Sequence, residues 1–122
     1  MVENKLPVSV VLLAKNEEIN IRDCLESCSF ANELIVIDDG STDKTVDIAT
    51  ELGAKVFAHS MNGDWGAQQT YGIEQATQPW VFLLDADERV TPVLRDSIRM
   101  VVERDNQTHS YMVQRENHFA SG

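Results

Sequence analysis

The stretch WVFLLDADERVTP, residues 80–92, runs from an apolar segment straight into a cluster of acids. Residues 80–84 are a short apolar run, which is typical of a strand buried inside a sheet. Asp85, Asp87 and Glu88 follow within four positions. A solvated turn readily explains one or two acids, but three acids at the point where a buried strand emerges indicate a ligand site.

Three earlier segments have the same character. Residues 8–13 (VSVVLL), 34–37 (LIVI) and 55–58 (KVFA) predict further strands, because each is short, apolar and rich in β-branched or aromatic residues. Apolar residues at helical spacing follow each of these strands. They are Ile21, Cys24, Leu25 and Cys28 in the first case; Val46, Ala49 and Leu52, ending at Gly53, in the second; and Tyr71, Ile73 and Ala76, within residues 66–76, in the third.

A fourth helix is predicted after the fourth strand. Thr91 and Pro92 suit the N-cap and first helical positions. An apolar stripe follows at spacings of four, seven and eight residues, formed by Leu94, Ile98, Val101 and Val102. Residues 110–114 predict a fifth strand, and residues 116–122 read as a polar, open end.

This alternation predicts one α/β domain over residues 1–122, a Rossmann-like, mostly parallel sheet flanked by helices. Such sheets bind ligands outside the carboxyl ends of their strands. The segments that follow the four strands are residues 14–18, 38–43, 59–64 and 85–88, and three of the four are heavily acidic. We therefore expect the functional site at this edge.

The overall charge narrows the ligand class. The chain of 122 residues carries 20 acids and 10 bases, a net charge of −10. This balance argues against nucleic acid, which is bound by neutralising phosphates with Lys and Arg, and against a polybasic contact with anionic lipid. No apolar run approaches the roughly 20 residues of a membrane span, and the first ten residues lack the order of a secretion signal. We expect a cytoplasmic location.

Cys24 and Cys28 lie four residues apart, on one face of the first predicted helix. Two cysteines without further Cys or His partners do not form a zinc site. A disulfide between adjacent turns of one helix is not expected in a reducing compartment. We predict two buried thiols.

Asp85 and Asp87 are two positions apart, so in an extended chain their carboxylates point the same way. Two carboxylates and a diphosphate form the oxygen environment that Mg²⁺ or Mn²⁺ prefers. Two like charges about 4 Å apart repel by roughly 4 kcal/mol at an effective dielectric of 20, so an anionic ligand here requires a bridging cation. Taken alone, this short motif is equally compatible with a plain acidic loop.

The other two acidic strand ends give further candidates. Asp38 and Asp39 follow the second strand, where an acid commonly accepts hydrogen bonds from a sugar hydroxyl or a base N–H, and Gly40 permits close approach of the backbone. Ser41, Thr42 or Asp43 is predicted to cap the next helix. The first strand is followed by Lys15, Asn16, Glu17 and Glu18.

Three of these segments together resemble the family-2 glycosyltransferases, which have the GT-A fold. The matching motifs are VSVVLLAKNEE (residues 8–18), LIVIDDGSTDKT (34–45) and WVFLLDADERVTP (80–92). The resemblance covers about residues 8–92, and more weakly extends to 119. Within the family, residues 65–88 look most similar to bacterial enzymes that build lipopolysaccharide core and related cell-surface sugars.

The resemblance implies roles for individual positions. Ala14 and Glu17 would lie against the base and ribose of a nucleotide sugar, Asp39 would accept a hydrogen bond from uracil, and Asp87 would bind Mn²⁺ or Mg²⁺ on the diphosphate. Asp85 would approach the ribose or the donor sugar. The implied nucleotide-sugar-binding set is Ala14, Asn16, Glu17, Asp38, Asp39, Asp85 and Ala86.

The implied reaction is an inverting, metal-dependent transfer from a UDP-sugar to a glycan or lipid-linked acceptor. An acceptor hydroxyl, deprotonated by a carboxylate, would attack the anomeric carbon. The implied location is cytoplasmic, including the inner face of the membrane, and a homo-oligomer is compatible with the pattern. The alternative is a non-catalytic module that binds a nucleotide or another protein.

Two features depart from the family pattern. Residues 63–78 contain no Lys or Arg. Gln68 and Gln69 stand where many relatives have a basic side chain available to the diphosphate. The chain is also shorter than a complete family member, so we expect a donor-binding half, apparently truncated, with its catalytic base unassigned. His109, Glu116 and His118 are read as ordinary strand and tail residues.

Overall fold

A computed structural model describes residues 5–104, 110–115 and 118–121, the last two ranges as strand backbone. In chain order, the elements are β1 (Leu6–Ala14), α1 (Ile21–Glu26), β2 (Ala31–Asp38), α2 (Thr45–Glu51), β3 (Lys55–Ala58), α3 (Trp65–Gln75), β4 (Trp80–Asp85), α4 (Pro92–Arg104), β5 (Ser110–Arg115) and β6 (His118–Ser121). The predicted order of strands and helices is confirmed from β1 to β5.

Within the described residues, the strands form one sheet in the order β3-β2-β1-β4-β5-β6. Neighbours from β3 to β5 are parallel, and β6 runs antiparallel to β5. The predicted α/β class with a mostly parallel sheet is therefore confirmed. The strands that follow β1 in the chain are added first on one side of it, as β2 and β3, and then on the other, as β4 and β5. In such a sheet, the ligand crevice lies where this direction reverses, beside the carboxyl end of β1.

The prediction of an open end was wrong for residues 118–121. His118 pairs with Arg115, and Ser121 pairs with Met112 across an antiparallel ladder. A strand at the rim of a sheet is held by backbone hydrogen bonds and does not require an apolar run, so polarity was a misleading signal there. Residues 116–117 and 122 lie outside the described residues.

The side chains of β1 alternate between two apolar layers. Val8, Val10 and Leu12 are buried in a layer that also receives α1, α2 and α4. Val11 faces the other layer, which holds Ile35 and is covered by α3. The predicted inward positions on α3 and α4 are confirmed, with Tyr71, Ile73, Ala76, Leu94, Ile98, Val101 and Val102 all packed against one of these layers.

Gly72 explains why a glycine stands inside α3. A Cβ at this position would lie 2.6 Å from Cγ1 of Val11 and 3.2 Å from Cγ1 of Ile37. Only a residue without a side chain lets the helix lie this close to the sheet. Glycine ordinarily destabilises a helix interior, so Gly72 is here a packing requirement.

The helix ends follow the predictions at two places and differ at one. The Thr91 hydroxyl accepts a hydrogen bond from the Leu94 amide at 3.1 Å, and Gly53 ends α2 with a φ of +89°. The predicted cap of α2 was wrong, because the N-cap position is occupied by Lys44. Asp43 lies one residue earlier, and its carboxylate accepts a hydrogen bond from the Thr45 amide at 2.9 Å.

Cys24 and Cys28 are both buried and free, as predicted. The neighbouring Cys28 thiol and burial together raise the pKa of Cys24 far above its ordinary value. Cys24 therefore packs as a small apolar side chain beneath the end of β4, with its sulfur 3.7 Å from the carbonyl oxygen of Asp85.

Candidate functional site

The carboxyl ends of β2, β1 and β4 frame an open cleft of about 250 Å³. Strand register sets its width, because Ala14 pairs with Asp38 on one side of β1 and Leu13 pairs with Asp85 on the other. Adjacent strands are about 4.8 Å apart, so β2 and β4 stand roughly 10 Å apart across the cleft. The lining residues are Leu13, Ala14, Lys15, Glu17, Asp39, Met61, Trp65, Gln68, Asp85, Ala86 and Asp87.

The β4 side of the cleft carries Asp85, Ala86 and Asp87. Ala86 is buried, and the two aspartates on either side of it are exposed. Glu88 closes the turn behind them, since its carboxylate accepts a hydrogen bond from the Asp85 amide at 3.1 Å and its own amide donates to the Asp85 carbonyl at 2.9 Å. Glu88 is thereby used in shaping the turn.

The Asp85 carboxyl is electrostatically unfavourable in its charged form. Partial burial raises its pKa above the ordinary value, and the negative charges of Glu88, Asp87 and Glu17 raise it further. A cation beside Asp85 and Asp87 would relieve this repulsion. The cleft is thus prepared for positive charge before any ligand enters.

The end of β1 forms the floor of the cleft. The Ala14 carbonyl accepts a hydrogen bond from the Asp39 amide at 2.9 Å, which joins the floor to the β2 side. The Glu17 amide donates to the Thr45 hydroxyl at 2.8 Å, and the Glu17 carboxylate accepts from the Asn20 side chain at 3.1 Å. Among the described residues that line the cleft, Lys15 is the only one with a cationic side chain.

Asp39 occupies the β2 side of the cleft. Its Oδ1 accepts a hydrogen bond from the Met61 amide at 2.9 Å, which fixes the plane of the carboxylate. Oδ2 accepts no hydrogen bond from any of the described residues. One oxygen of Asp39 therefore positions the side chain, and the other is available to a ligand.

Asn16 and Asp38 lie outside the lining of the cleft, although the sequence placed both in the binding set. Asp38 is 5% exposed and accepts hydrogen bonds from the amide and the hydroxyl of Ser41. Asn16 has a φ of +54°, and its side-chain oxygen accepts from the Thr42 amide at 2.7 Å. The Ser41 contacts shape the loop that carries Asp39, and the Thr42 contact joins it to the loop that carries Glu17.

Met61 and Trp65 complete the side of the cleft next to Asp39, and sequence reasoning missed both. The sequence names residues 59–64 as the segment after β3 but assigns none of them to the site, and Trp65 follows directly after that segment. The side chain of Trp65 remains 41% exposed. An aromatic residue directly after a marked strand end is the signal that would have identified it.

Gln68 lies at the back of the cleft and is 1% exposed. Its Oε1 is 2.7 Å from Nδ1 of His59, and its Nε2 donates to the His59 carbonyl at 2.6 Å. The His59 ring stacks on Tyr71 with the ring centroids 3.8 Å apart. Gln68 therefore fixes the start of the segment that carries Met61.

The oxygen donors of the cleft suit a hard divalent cation only together with a ligand. Among the described residues, no group of three or more His, Cys, Asp or Glu side chains could hold a metal ion by itself. Asp85 and Asp87 offer carboxylate oxygens, and Mg²⁺ in particular is commonly bound by one or two carboxylates plus substrate phosphates and water. The residues present fit such a shared site.

The side chains of the C-terminal candidates for a catalytic base lie outside the described part of the structure. His109 and Glu116 lie outside the described residues, and His118 is described only through the backbone of β6.

No helix in the described part of the chain is both long enough and apolar enough to cross a membrane.

Comparison with known proteins supports the sequence resemblance. The family model described as glycosyl transferase family 2 matches residues 9–121. The chain is 30% identical over 115 residues to the lipopolysaccharide core biosynthesis glycosyltransferase LpsC of Rhizobium meliloti, a match that covers 91% of this chain and 43% of LpsC. The chain thus spans less than half the length of this curated relative.

Solved structures agree with the GT-A fold. The structure of glucosyl-3-phosphoglycerate synthase from Mycobacterium tuberculosis in complex with UDP has a TM-score of 0.60 and 30% identity, covering 68% of this chain and 34% of that one. A second structure of that synthase, with Mn²⁺, UDP and glucosyl-3-phosphoglycerate, has a TM-score of 0.59 and 28% identity, covering 69% and 36%.

Proposed function

Because the chain belongs to glycosyl transferase family 2, we propose that its acidic cleft binds the nucleotide-sugar donor of a sugar-transfer reaction. We treat residues 1–122 as one donor-binding domain. The observation that carries the proposal is the convergence of Glu17, Asp39, Asp85 and Asp87, from three different strand ends, on one cleft. Acids so distant in sequence meet only because the parallel strands end at one edge.

The proposed donor is a UDP-sugar, held together with Mn²⁺ or Mg²⁺. Asp39 accepts a hydrogen bond from the base, Ala14 and Glu17 lie against the base and ribose, and Asp85 lies toward the ribose or sugar. Asp87 would hold the ion on the diphosphate. Support comes from the free Oδ2 of Asp39, from the repulsion around Asp85, and from the similar synthase crystallised with Mn²⁺ and UDP.

Lys15 offers a basic side chain to the cleft, whereas residues 63–78 contain no Lys or Arg. It lines the cleft from the floor, between Asp39 and the aspartates of β4. We propose that its ammonium group contacts the diphosphate, a role that sequence comparison had sought in the segment that carries Gln68 and Gln69. A lysine is a strong phosphate ligand as a point charge.

In the proposed reaction, an acceptor hydroxyl attacks the anomeric carbon of the donor sugar with inversion, and the nucleoside diphosphate leaves. A bound divalent ion supplies neutralisation of the leaving diphosphate. The residues of this chain bind and orient the donor, and we assign none of them as the base. Transfer to a cell-surface glycan or lipid-linked acceptor is supported by the similarity to LpsC, whose name places it in lipopolysaccharide core synthesis.

A cytoplasmic location, with the acceptor presented at the inner face of the membrane, belongs to this proposal and is tested by fractionating cells that express the protein. Self-association is a further expectation, which light scattering of the purified chain measures directly. Neither expectation is needed for the donor-binding proposal.

Calorimetry with UDP, in the presence and absence of Mn²⁺, tests the central proposal. We expect UDP binding that depends on the metal. Asp87→Asn should weaken it by at least about tenfold, as removal of groups at a metal site commonly does. Asp47→Asn is the matched control, because Asp47 is an exposed aspartate on α2, away from the cleft lining, and should leave the affinity unchanged.

Absent UDP binding, or binding indifferent to both Mn²⁺ and Asp87, would overturn the proposal. A sugar-transfer assay with labelled UDP-sugars then separates an enzyme from a module that only binds nucleotide. Binding without transfer would favour the non-catalytic alternative for this chain.

A further inference from the structure

The two sides of the cleft differ in chemistry. The β4 side offers carboxylates, whereas the opposite side combines Asp39 with two apolar side chains, Met61 and Trp65. The described residues include four large apolar side chains that are exposed, namely Ile19, Trp65, Val93 and Met100. Trp65 alone among these four lines the cleft. An exposed indole on the wall of a charged cleft calls for a ligand with a flat, uncharged face.

The position of Trp65 is fixed by its backbone neighbours. It is the first residue of α3, and the Asp64 side chain before it caps that helix by accepting from the Ala67 amide at 2.9 Å. The Asp64 amide donates to the Met61 carbonyl at 2.9 Å, and the Met61 amide donates to Asp39. A chain of three short contacts therefore joins the indole-bearing residue to the carboxylate proposed to read the base.

We infer that Trp65 is a donor-binding residue that provides the stacking surface for the nucleobase. This inference rests on the proposed function and assigns a part of the ligand to a part of the cleft. The base lies on the Asp39 side, edge toward the free Oδ2 and face against the indole. The diphosphate lies roughly 10 Å away, between Lys15 and the aspartates of β4.

Charge and shape both favour the base over the other parts of the donor. A diphosphate gains nothing from an apolar surface and requires positive charge, which Lys15 on the floor and the cation proposed at the aspartates of β4 would supply. The donor sugar extends beyond the diphosphate, and so lies away from Asp39. A base presents a π-face to the indole and an N–H to the carboxylate, and stacking of this kind contributes about 1–3 kcal/mol per base.

Tryptophan fluorescence reports the contact directly, because the chain has two tryptophans in contrasting places. Trp65 is 41% exposed in the cleft, whereas Trp80 is 5% exposed inside β4. In Trp80→Phe, the remaining emission comes from Trp65, and we expect UDP with Mn²⁺ to quench it. In Trp65→Phe, the emission comes from Trp80 and should stay unchanged on adding UDP.

Binding measurements give the energetic test. Trp65→Ala should weaken UDP binding by about 5- to 150-fold, with Trp65→Phe in between. Inorganic pyrophosphate with Mn²⁺ lacks the base, so its affinity should be the same in wild type and Trp65→Ala. Far-UV circular dichroism and the melting temperature verify that the variants fold, as expected for an exposed side chain.

The outcomes separate the two proposals. If UDP binds in a metal-dependent way but Trp65→Ala binds it as tightly as wild type, the stacking role is overturned and the donor-binding function stands. Equal losses for UDP and pyrophosphate would also overturn it, because Trp65 would then act on the cleft as a whole. If wild type binds no UDP, the proposed function itself fails.

Discussion

The carboxylates at the two ends of the sheet lie in opposite electrostatic environments. At the amino ends of the strands, Glu33 is 6% exposed and lies among partners that satisfy both of its oxygens. Oε1 accepts from the Ser9 hydroxyl at 2.5 Å and the Thr77 amide at 2.9 Å. Oε2 accepts from the Lys55 ammonium at 2.6 Å and the Thr77 hydroxyl at 3.0 Å. The charge of this buried acid is fully compensated within the fold.

The pKa values of Glu33 and Asp85 shift in opposite directions. Burial alone would raise the pKa of Glu33, but the hydrogen bonds from Lys55, Ser9 and Thr77 outweigh it and lower the pKa to about 2. At the carboxyl ends, burial and neighbouring acids raise the pKa of Asp85 instead. An acid whose charge the fold satisfies is structural, whereas a cluster of acids that raise one another's pKa in a cleft is typical of a functional site.

The largest effect is expected from removing the charge at the satisfied end. Glu33→Gln replaces an acceptor of four hydrogen bonds by an amide whose N–H group faces donors. We expect the free energy of unfolding to fall by about 3 kcal/mol, the value that corresponds to the lowered pKa. Urea unfolding at pH 7 measures it. Glu26→Gln, at an exposed glutamate of α1, is the matched control and should change little.

The same variant carries a pH signature. Because the pKa of Glu33 is lowered on folding, from 4.5 to about 2, its stabilisation is complete above pH 4.5 and disappears as the pH falls toward 2. The difference in unfolding free energy between wild type and Glu33→Gln should therefore close over this interval. A difference that stays constant down to pH 2 would contradict an electrostatic origin. Metal-dependent UDP binding at pH 7 should be retained, since Glu33 lies at the opposite end of the sheet.

The sequence predicted the cleft better than it predicted the Glu33 network. The spacing of apolar residues, the turn residues and the helix caps are local signals in the sequence. They located β1 to β4, and therefore the edge of the sheet where Asp39 and Asp85 both line the cleft. Glu33 had no such signal. A charged residue at the start of a strand is ordinarily exposed, and its partners Ser9, Lys55 and Thr77 come from other strands and from the loop before β4.

The same limit applies to the residues that the sequence proposed for the cleft. Asn16 and Asp38 resemble ligand-binding residues by position, but the Asn16 side chain accepts a hydrogen bond from Thr42 of the neighbouring loop, and the Asp38 carboxylate accepts from Ser41 of its own loop. Which of several polar residues at one strand end turns inward depends on contacts between loops, and these are not periodic. Trp65 was missed because a single aromatic has no pattern until the sheet order places it beside Asp39.

A smaller effect is expected from the exposed partner of Glu33. Lys55→Met removes the cation that lies 2.6 Å from Oε2, but the Lys55 side chain is 59% exposed. Solvent screens such a pair, and Ser9 and Thr77 continue to hold the carboxylate, so we expect a loss of about 1 kcal/mol or less. Lys44→Met, at an exposed lysine near the other end of the sheet, is the control. A loss equal to that of Glu33→Gln would show that the ion pair, and not the hydrogen-bonded cage, supports the buried acid.

The smallest effect, and one of opposite sign, is expected at the unsatisfied end. Asp85→Asn removes a charge that Glu88, Asp87 and Glu17 repel, while the backbone contacts of the turn remain. Because the pKa of Asp85 is raised on folding, its charged form opposes folding at neutral pH. The side chain is exposed and solvent screens the repulsion, so neutralising it should raise the free energy of unfolding by only about a few tenths of a kcal/mol. Urea unfolding at pH 7, beside Asp47→Asn, measures the change, and calorimetry should show that metal-dependent UDP binding weakens in the same variant. Stability and ligand affinity would then move in opposite directions, as expected of a residue retained for binding. A loss of stability at this position would instead place Asp85 with Glu33, among the acids that hold the fold together.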